Sequence, residues 1–92
     1  MIRSFHSKTL RKFAATGDAS RLSVQKPERI ARILRWLNAA TGPEDMNLPG
    51  LRFHRLTSDQ RGRYSVWVSE NWRITFGWEE PDAIDVDLED YH

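Results

Sequence analysis

Cysteine is absent from these 92 residues, which excludes disulfides, thiol catalysis and Cys-based zinc sites. The absence fits a reducing cytosol, where disulfides are rare. No run approaches the ~18 apolar residues that a membrane span requires. The opening Met1-Ile2-Arg3-Ser4-Phe5 has one basic residue and no apolar run behind it, so it does not read as a signal peptide. The expectation is a soluble, cytoplasmic chain without a membrane partner. Internal repeats, low-complexity tracts and convincing linkers are also missing. Basic residues run out after Trp78: residues 79–92 carry 7 acids and no Lys or Arg, while residues 1–78 carry all 14 Lys and Arg against 6 acids. The net charge of +1 hides this asymmetry. A basic body with an acidic terminal segment suits a polyanion, and favours nucleic acid over an acidic protein or a membrane.

What is present is enough for one domain, residues 1–92, with four Trp, four Phe and two Tyr supplying much of the apolar area. Ile2 to Phe5 fits a short opening strand. Ser7 is placed to cap a short helix through Leu10, Phe13 and Ala14, closed by Gly17. Pro27 suits the first turn of a second helix, with Glu28 at its positive end. In that helix Ile30, Ile33, Leu34 and Leu37 share one face, and Arg29, Arg32, Arg35 and Trp36 lie elsewhere on the cylinder. The spacing ends it near Ala40 or Thr41, before Gly42-Pro43.

The remainder alternates as strands do. Residues 52–56 form a short one, and Tyr64 to Val68 a second. Trp72, Ile74, Phe76 and Trp78 take alternate positions in a third, placing Arg73 and Thr75 on the opposite face. In the last, Ile84, Val86 and Leu88 are expected to face the core, with Asp85, Asp87 and Glu89 toward water. The fold class predicted is α+β: a short N-terminal strand and two helices packed on one face of a small antiparallel sheet of about four strands. The other face of the sheet is left free.

Five stretches together resemble the HigB branch of the RelE superfamily, the toxins of type II toxin–antitoxin pairs. They are Met1-Ile2-Arg3-Ser4-Phe5, Leu37-Asn38-Ala39-Ala40-Thr41, Gly62-Arg63-Tyr64-Ser65-Val66, Asn71-Trp72-Arg73-Ile74-Thr75-Phe76 and the terminal Asp90-Tyr91-His92. They stand in the family's order and span nearly the whole chain. The resemblance implies a RelE-like fold and an endoribonuclease that enters the ribosomal A site and cuts messenger RNA. It implies no metal or other cofactor: the ribose 2′-hydroxyl attacks the adjacent phosphate and leaves a cyclic phosphate. It also implies a cognate helix-turn-helix antitoxin, HigA-like, whose complex with the toxin binds operator DNA. The 70S ribosome and its messenger are the remaining partners.

Such cleavage needs a base, positive charge at the phosphate, and an acid for the leaving oxygen. His92, the family's terminal residue, is the first candidate for a proton role, and His54 in the short strand the second. Arg73, on the free sheet face by parity, is the candidate for charge at the phosphate, since its planar fork grips phosphate in two places. Tyr91 is placed to stack on a splayed base and Asp90 to orient His92. Arg52, Arg55, Arg61 and Arg63, with Arg29, Arg32 and Arg35 of the second helix, would supply the electrostatic footprint for RNA or ribosome. Two departures from the family pattern stand out. Thr57 occupies a place where relatives often carry lysine, and the last strand is unusually acidic.

Three other readings compete. Asp85, Asp87, Asp90 and His92 are oxygen and nitrogen donors of a kind that binds hard or borderline metals, but no ligand-spacing motif supports a metal site. A ParE-like gyrase inhibitor shares the fold but lacks the Asp-Tyr-His ending. A ribosome- or RNA-binding module without catalysis is the third.

Overall fold

The computed structural model describes residues 1–57, 60 and 62–90. Arg61, Tyr91 and His92 lie outside the described residues, together with Ser58 and Asp59. Two helices precede an antiparallel meander: α1 (Lys8–Thr16), α2 (Pro27–Ala39), β1 (His54–Arg55), β2 (Arg63–Ser69), β3 (Trp72–Glu79) and β4 (Asp82–Asp90). The strands lie in the order β1-β2-β3-β4, so each pairs with its neighbour in the chain. This is the α+β architecture the periodicity predicts.

The helix ends follow from local chemistry. The Ser7 hydroxyl accepts the Leu10 backbone N–H at 3.0 Å, satisfying one of the orphan donors of α1. At the other end Gly17 adopts φ 78°, and its N–H closes on the Phe13 carbonyl. Replacing Ser7 by Ala is expected to lower stability by about 1 kcal/mol, seen as a fall in the denaturant midpoint at unchanged slope. In α2, Pro27 stands in the first turn, and the N-cap position, Lys26, makes no side-chain cap. A short 3-10 helix, Pro43–Met46, occupies part of the connection expected to be irregular.

Ile30, Ile33, Leu34 and Leu37 of α2 and Leu10 and Phe13 of α1 bury their side chains with Val66, Val68, Ile74, Phe76 and Val86 of the sheet. Ala14 is exposed, since α1 presents only a narrow stripe to the core. Phe53, Tyr64 and Phe76 form a run of stacked rings, with centroids 5.8 and 5.6 Å apart.

Two expectations are corrected. The opening residues do not form a continuous strand. They make two isolated parallel bridges to β4, Ile2 with Ala83 and Phe5 with Val86. Between the bridges Asp85 turns to φ 50° and donates its N–H to the Ser4 hydroxyl at 2.9 Å. The β3–β4 register shifts at this point, between Thr75 and Gly77. This bulge reverses strand parity. Ala83 and Val86, three positions apart, are both fully buried, and Ile84 is carried to the opposite face, across from Gly77. Gly77 makes room for it, because a Cβ there would come within 3.2 Å of the Ile84 side chain. The second correction concerns the strand expected over residues 52–56, which narrows to His54 and Arg55. Arg52 takes φ 48°, outside the extended region.

Candidate active site

The face of the sheet turned away from the helices gathers residues by register. His54 pairs with Ser65, Ser65 with Thr75, and Thr75 with Asp87, giving one row across four strands. The next row runs Trp67, Arg73, Glu89. Cross-strand partners share a face, so a histidine, two arginines counting Arg63, two hydroxyls and two carboxylates lie together.

Hydrogen bonds tie this set into a network. Arg63 donates from Nη2 to the Thr75 hydroxyl and to the Asp85 carbonyl, each at 2.9 Å, the second bond bracing the bulge. Thr75, fully buried, donates its hydroxyl to Glu89. The other Glu89 oxygen lies 3.9 Å from Arg73 Nη2 and accepts from the Gln60 amide at 3.4 Å. The Arg73 side chain is only 16% exposed and pairs with Glu89 on this face. A planar guanidinium carries five N–H donors, enough for a carboxylate and a phosphate together.

His54 is exposed at the end of this face. Its Nδ1 lies 3.2 Å from the Arg52 carbonyl, which can only accept, so this contact assigns the proton of the neutral ring to Nδ1. Nε2 is then the ring's acceptor, and the Ser65 hydroxyl lies against the ring, 3.4 Å from Nδ1 and 3.3 Å from Nε2. An open cleft of about 420 Å³ runs along the other side of the face, lined by His6, Gln60, Arg63, Asp85, Asp87 and Glu89. Among the described residues no cluster of His, Asp and Glu could hold a metal ion, and no helix is long and apolar enough to cross a membrane.

Residues 3–92 match the family described as the RelE-like toxin of the type II toxin-antitoxin system HigB. The chain belongs to the HigB-like toxins. Endoribonuclease HigB of Proteus vulgaris is 36% identical to it over 92 residues, covering the whole of both chains. Membership makes this chain the toxin of a type II system, with an antitoxin for its partner.

Within this HigB-like framework the predicted residues separate. His54, Arg63 and Arg73 share the free face, and Arg29 and Arg52 reach its margin at Trp67. Asp90 is exposed at the end of β4, where register pairs it with Trp72 and gives it the parity of Leu88 rather than Glu89. Arg55 lies over the Tyr64 ring on the helix side and approaches Glu44 at 3.8 Å, so it does not join the face. Arg32 and Arg35 are exposed on α2, and Arg35 lines a groove with Ile2, Phe5 and Phe13. Tyr91, His92 and Arg61 fall outside the described residues.

Ser65, Thr75 and Glu89 were not singled out by the chemistry of the sequence. Parity along β3 was enough to group Thr75 with Arg73. Pairing Glu89 with Arg73 needed the register of β4, which the bulge at Asp85 sets. The acidic segment after Trp78 resolves into separate tasks: Glu79 at the end of β3 and Asp82 at the start of β4 hold Arg3 at 2.6 and 3.1 Å, Glu89 faces Arg73, and Asp87 accepts the Leu88 N–H.

Proposed function

We propose that the chain is a ribosome-dependent endoribonuclease that cuts messenger RNA in the A site by attack of the ribose 2′-hydroxyl, without a metal. The observation that carries this reading is a single free sheet face holding His54, with Nε2 as acceptor, and the part-buried Arg73. Family membership and the name of the Proteus vulgaris relative support the endoribonuclease activity.

In the proposed reaction His54 Nε2 takes the 2′-hydroxyl proton as that oxygen attacks the adjacent phosphorus. The bond to the 5′-oxygen of the next nucleotide breaks, and that oxygen receives a proton from His92. A 2′,3′-cyclic phosphate and a free 5′-hydroxyl result. Arg73 neutralises the charge that develops on the phosphoryl oxygens. Tyr91 stacks on an unpaired base and Asp90 orients His92. The arginines at positions 29, 32, 35, 52, 55, 61 and 63 supply the electrostatic attraction to ribosome and messenger. In the same reading the partner is a HigA-like helix-turn-helix antitoxin, operator DNA is met only through that complex, and the site of action is the cytoplasm.

The test is cleavage of a short messenger positioned on 70S ribosomes. Wild type is expected to cut in the A-site codon, to leave a cyclic phosphate end, and to be unaffected by a transition-metal chelator at constant magnesium. His92→Gln, and a messenger with 2′-deoxyribose at the scissile position, should each abolish the cut. Cleavage of the deoxy messenger would rule out 2′-hydroxyl attack. A folded, ribosome-bound wild type that never cuts would leave a binding protein.

A further inference from the structure

At one margin of the free face a single indole gathers two guanidinium groups. Arg52 Cζ lies 4.6 Å and Arg29 Cζ 5.2 Å from the centre of the Trp67 ring. Trp67 is the cross-strand partner of Arg73, so this cluster adjoins the candidate phosphate-binding guanidinium. Neither Arg29 nor Arg52 pairs with a carboxylate among the described residues, whereas Arg3, Arg55 and Arg73 each do. The two cations are offset by the electron-rich face of the ring and not by an acid.

The cluster is also held in place. The Trp67 indole N–H donates to the Glu70 carbonyl at 3.0 Å, which fixes the ring. The Trp67 backbone N–H donates to the Leu51 carbonyl at 2.6 Å, tying the preceding loop along β2 beyond the short β1. Arg29 donates from Nη2 to the Gly50 carbonyl at 3.2 Å, and its Nε is buried with no hydrogen-bond partner. Arg52 sits at φ 48°, a conformation rare for a residue with a side chain. Strained backbone of this kind concentrates at ligand clamps and active sites.

We propose that Arg29, Trp67 and Arg52 form a subsite for the phosphodiester backbone of an RNA strand, continuous with the Arg73 site. The inference rests on the chain acting on RNA and adds where the strand is held. The ligand is recognised as phosphodiester, because both guanidinium groups lie over the ring and such groups grip phosphate oxygens in two places. Such a contact adds affinity and salt dependence and carries no base preference. The strand is either the messenger or ribosomal RNA, and the two are separable by experiment.

Affinity for 70S ribosomes is to be measured at several salt concentrations, with and without messenger in the A site, for wild type and for the Arg29→Gln/Arg52→Gln double variant. Loss of two phosphate contacts should reduce the slope of log K against log salt by ~1.4, with affinity down on the order of tenfold near physiological salt. A loss seen only with messenger present assigns the strand to the messenger, and an equal loss on empty ribosomes assigns it to ribosomal RNA. Arg29→Lys/Arg52→Lys should restore the slope. Lys8→Gln/Arg11→Gln, which removes the same charge from α1, should not change it. Cleavage by wild type is read in the same reactions, so failure of the nuclease reading shows separately as a wild type that does not cut. The subsite is overturned if wild type cuts while the folded Gln double variant binds and cuts like it at every salt. It is equally overturned if the α1 variant loses as much slope, or if the Gln pair weakens antitoxin binding and leaves ribosome binding intact.

Discussion

Replacing His54 with Ala is expected to slow cleavage on programmed ribosomes by about 100- to 10,000-fold, the usual worth of a positioned general base. The expectation rests on the acceptor state of Nε2, set by the Nδ1 contact to the Arg52 carbonyl. Melting temperature should stay near that of wild type, because the side chain is exposed and, among the described residues, its ring hydrogen-bonds only with Ser65 and the Arg52 carbonyl. His54→Gln, which keeps hydrogen-bonding capacity but has no basic ring nitrogen, should lose as much activity, and that separates a base from a structural residue. A variant cutting within a few-fold of wild type would remove His54 from the chemistry.

The second large effect falls on stability. Phe76→Ala should lower the unfolding free energy by about 3–5 kcal/mol. Phe76 is fully buried, is among the largest such side chains, and stacks on Tyr64 at 5.6 Å. Native domains are stable by only about 5–15 kcal/mol, so the variant should be part-unfolded at moderate temperature. Urea unfolding followed by Trp fluorescence reads the shift. The loss should spread to function, because Phe76 lies in β3 between Thr75 and Gly77, whose opposite face carries the Arg63–Thr75–Glu89 network. A midpoint shifted by less than 1 kcal/mol would show that the aromatic stack is not central to the core.

Much of this architecture was legible before any coordinate. The α2 stripe at Ile30, Ile33, Leu34 and Leu37 is buried as its spacing requires. The alternation in β3 puts Arg73 and Thr75 on the face away from the helices, as two-residue periodicity dictates. What escaped depended on single backbone conformations. Ile84 looks like a core residue in a straight strand, and only the left-handed turn at Asp85 moves it across. The opening residues have strand-like composition, yet the same turn breaks their pairing into two bridges. In the site, Arg73 was readable from parity alone, but its partner was not. Several acids crowd β4, and register chose Glu89. The Trp67 cluster was out of reach for a similar reason: Arg29, Arg52 and Trp67 come from three separate segments, and no local pattern announces that they meet.

The seam between the opening residues and β4 has a kinetic consequence. Ser4 and Asp85, joined by a backbone-to-hydroxyl bond, stand 81 positions apart. The β2–β3 and β3–β4 hairpins need only short loops to close, so the meander can assemble first, whereas the seam carries the full entropic cost of a long closure. Contacts that form after the rate-limiting step govern how fast a protein comes apart rather than how fast it folds. Weakening the seam, for example by Ser4→Ala, would therefore quicken unfolding and leave the folding rate almost unchanged. The amides of Arg3, His6, Ala83 and Val86 would also exchange together, ahead of the central strands.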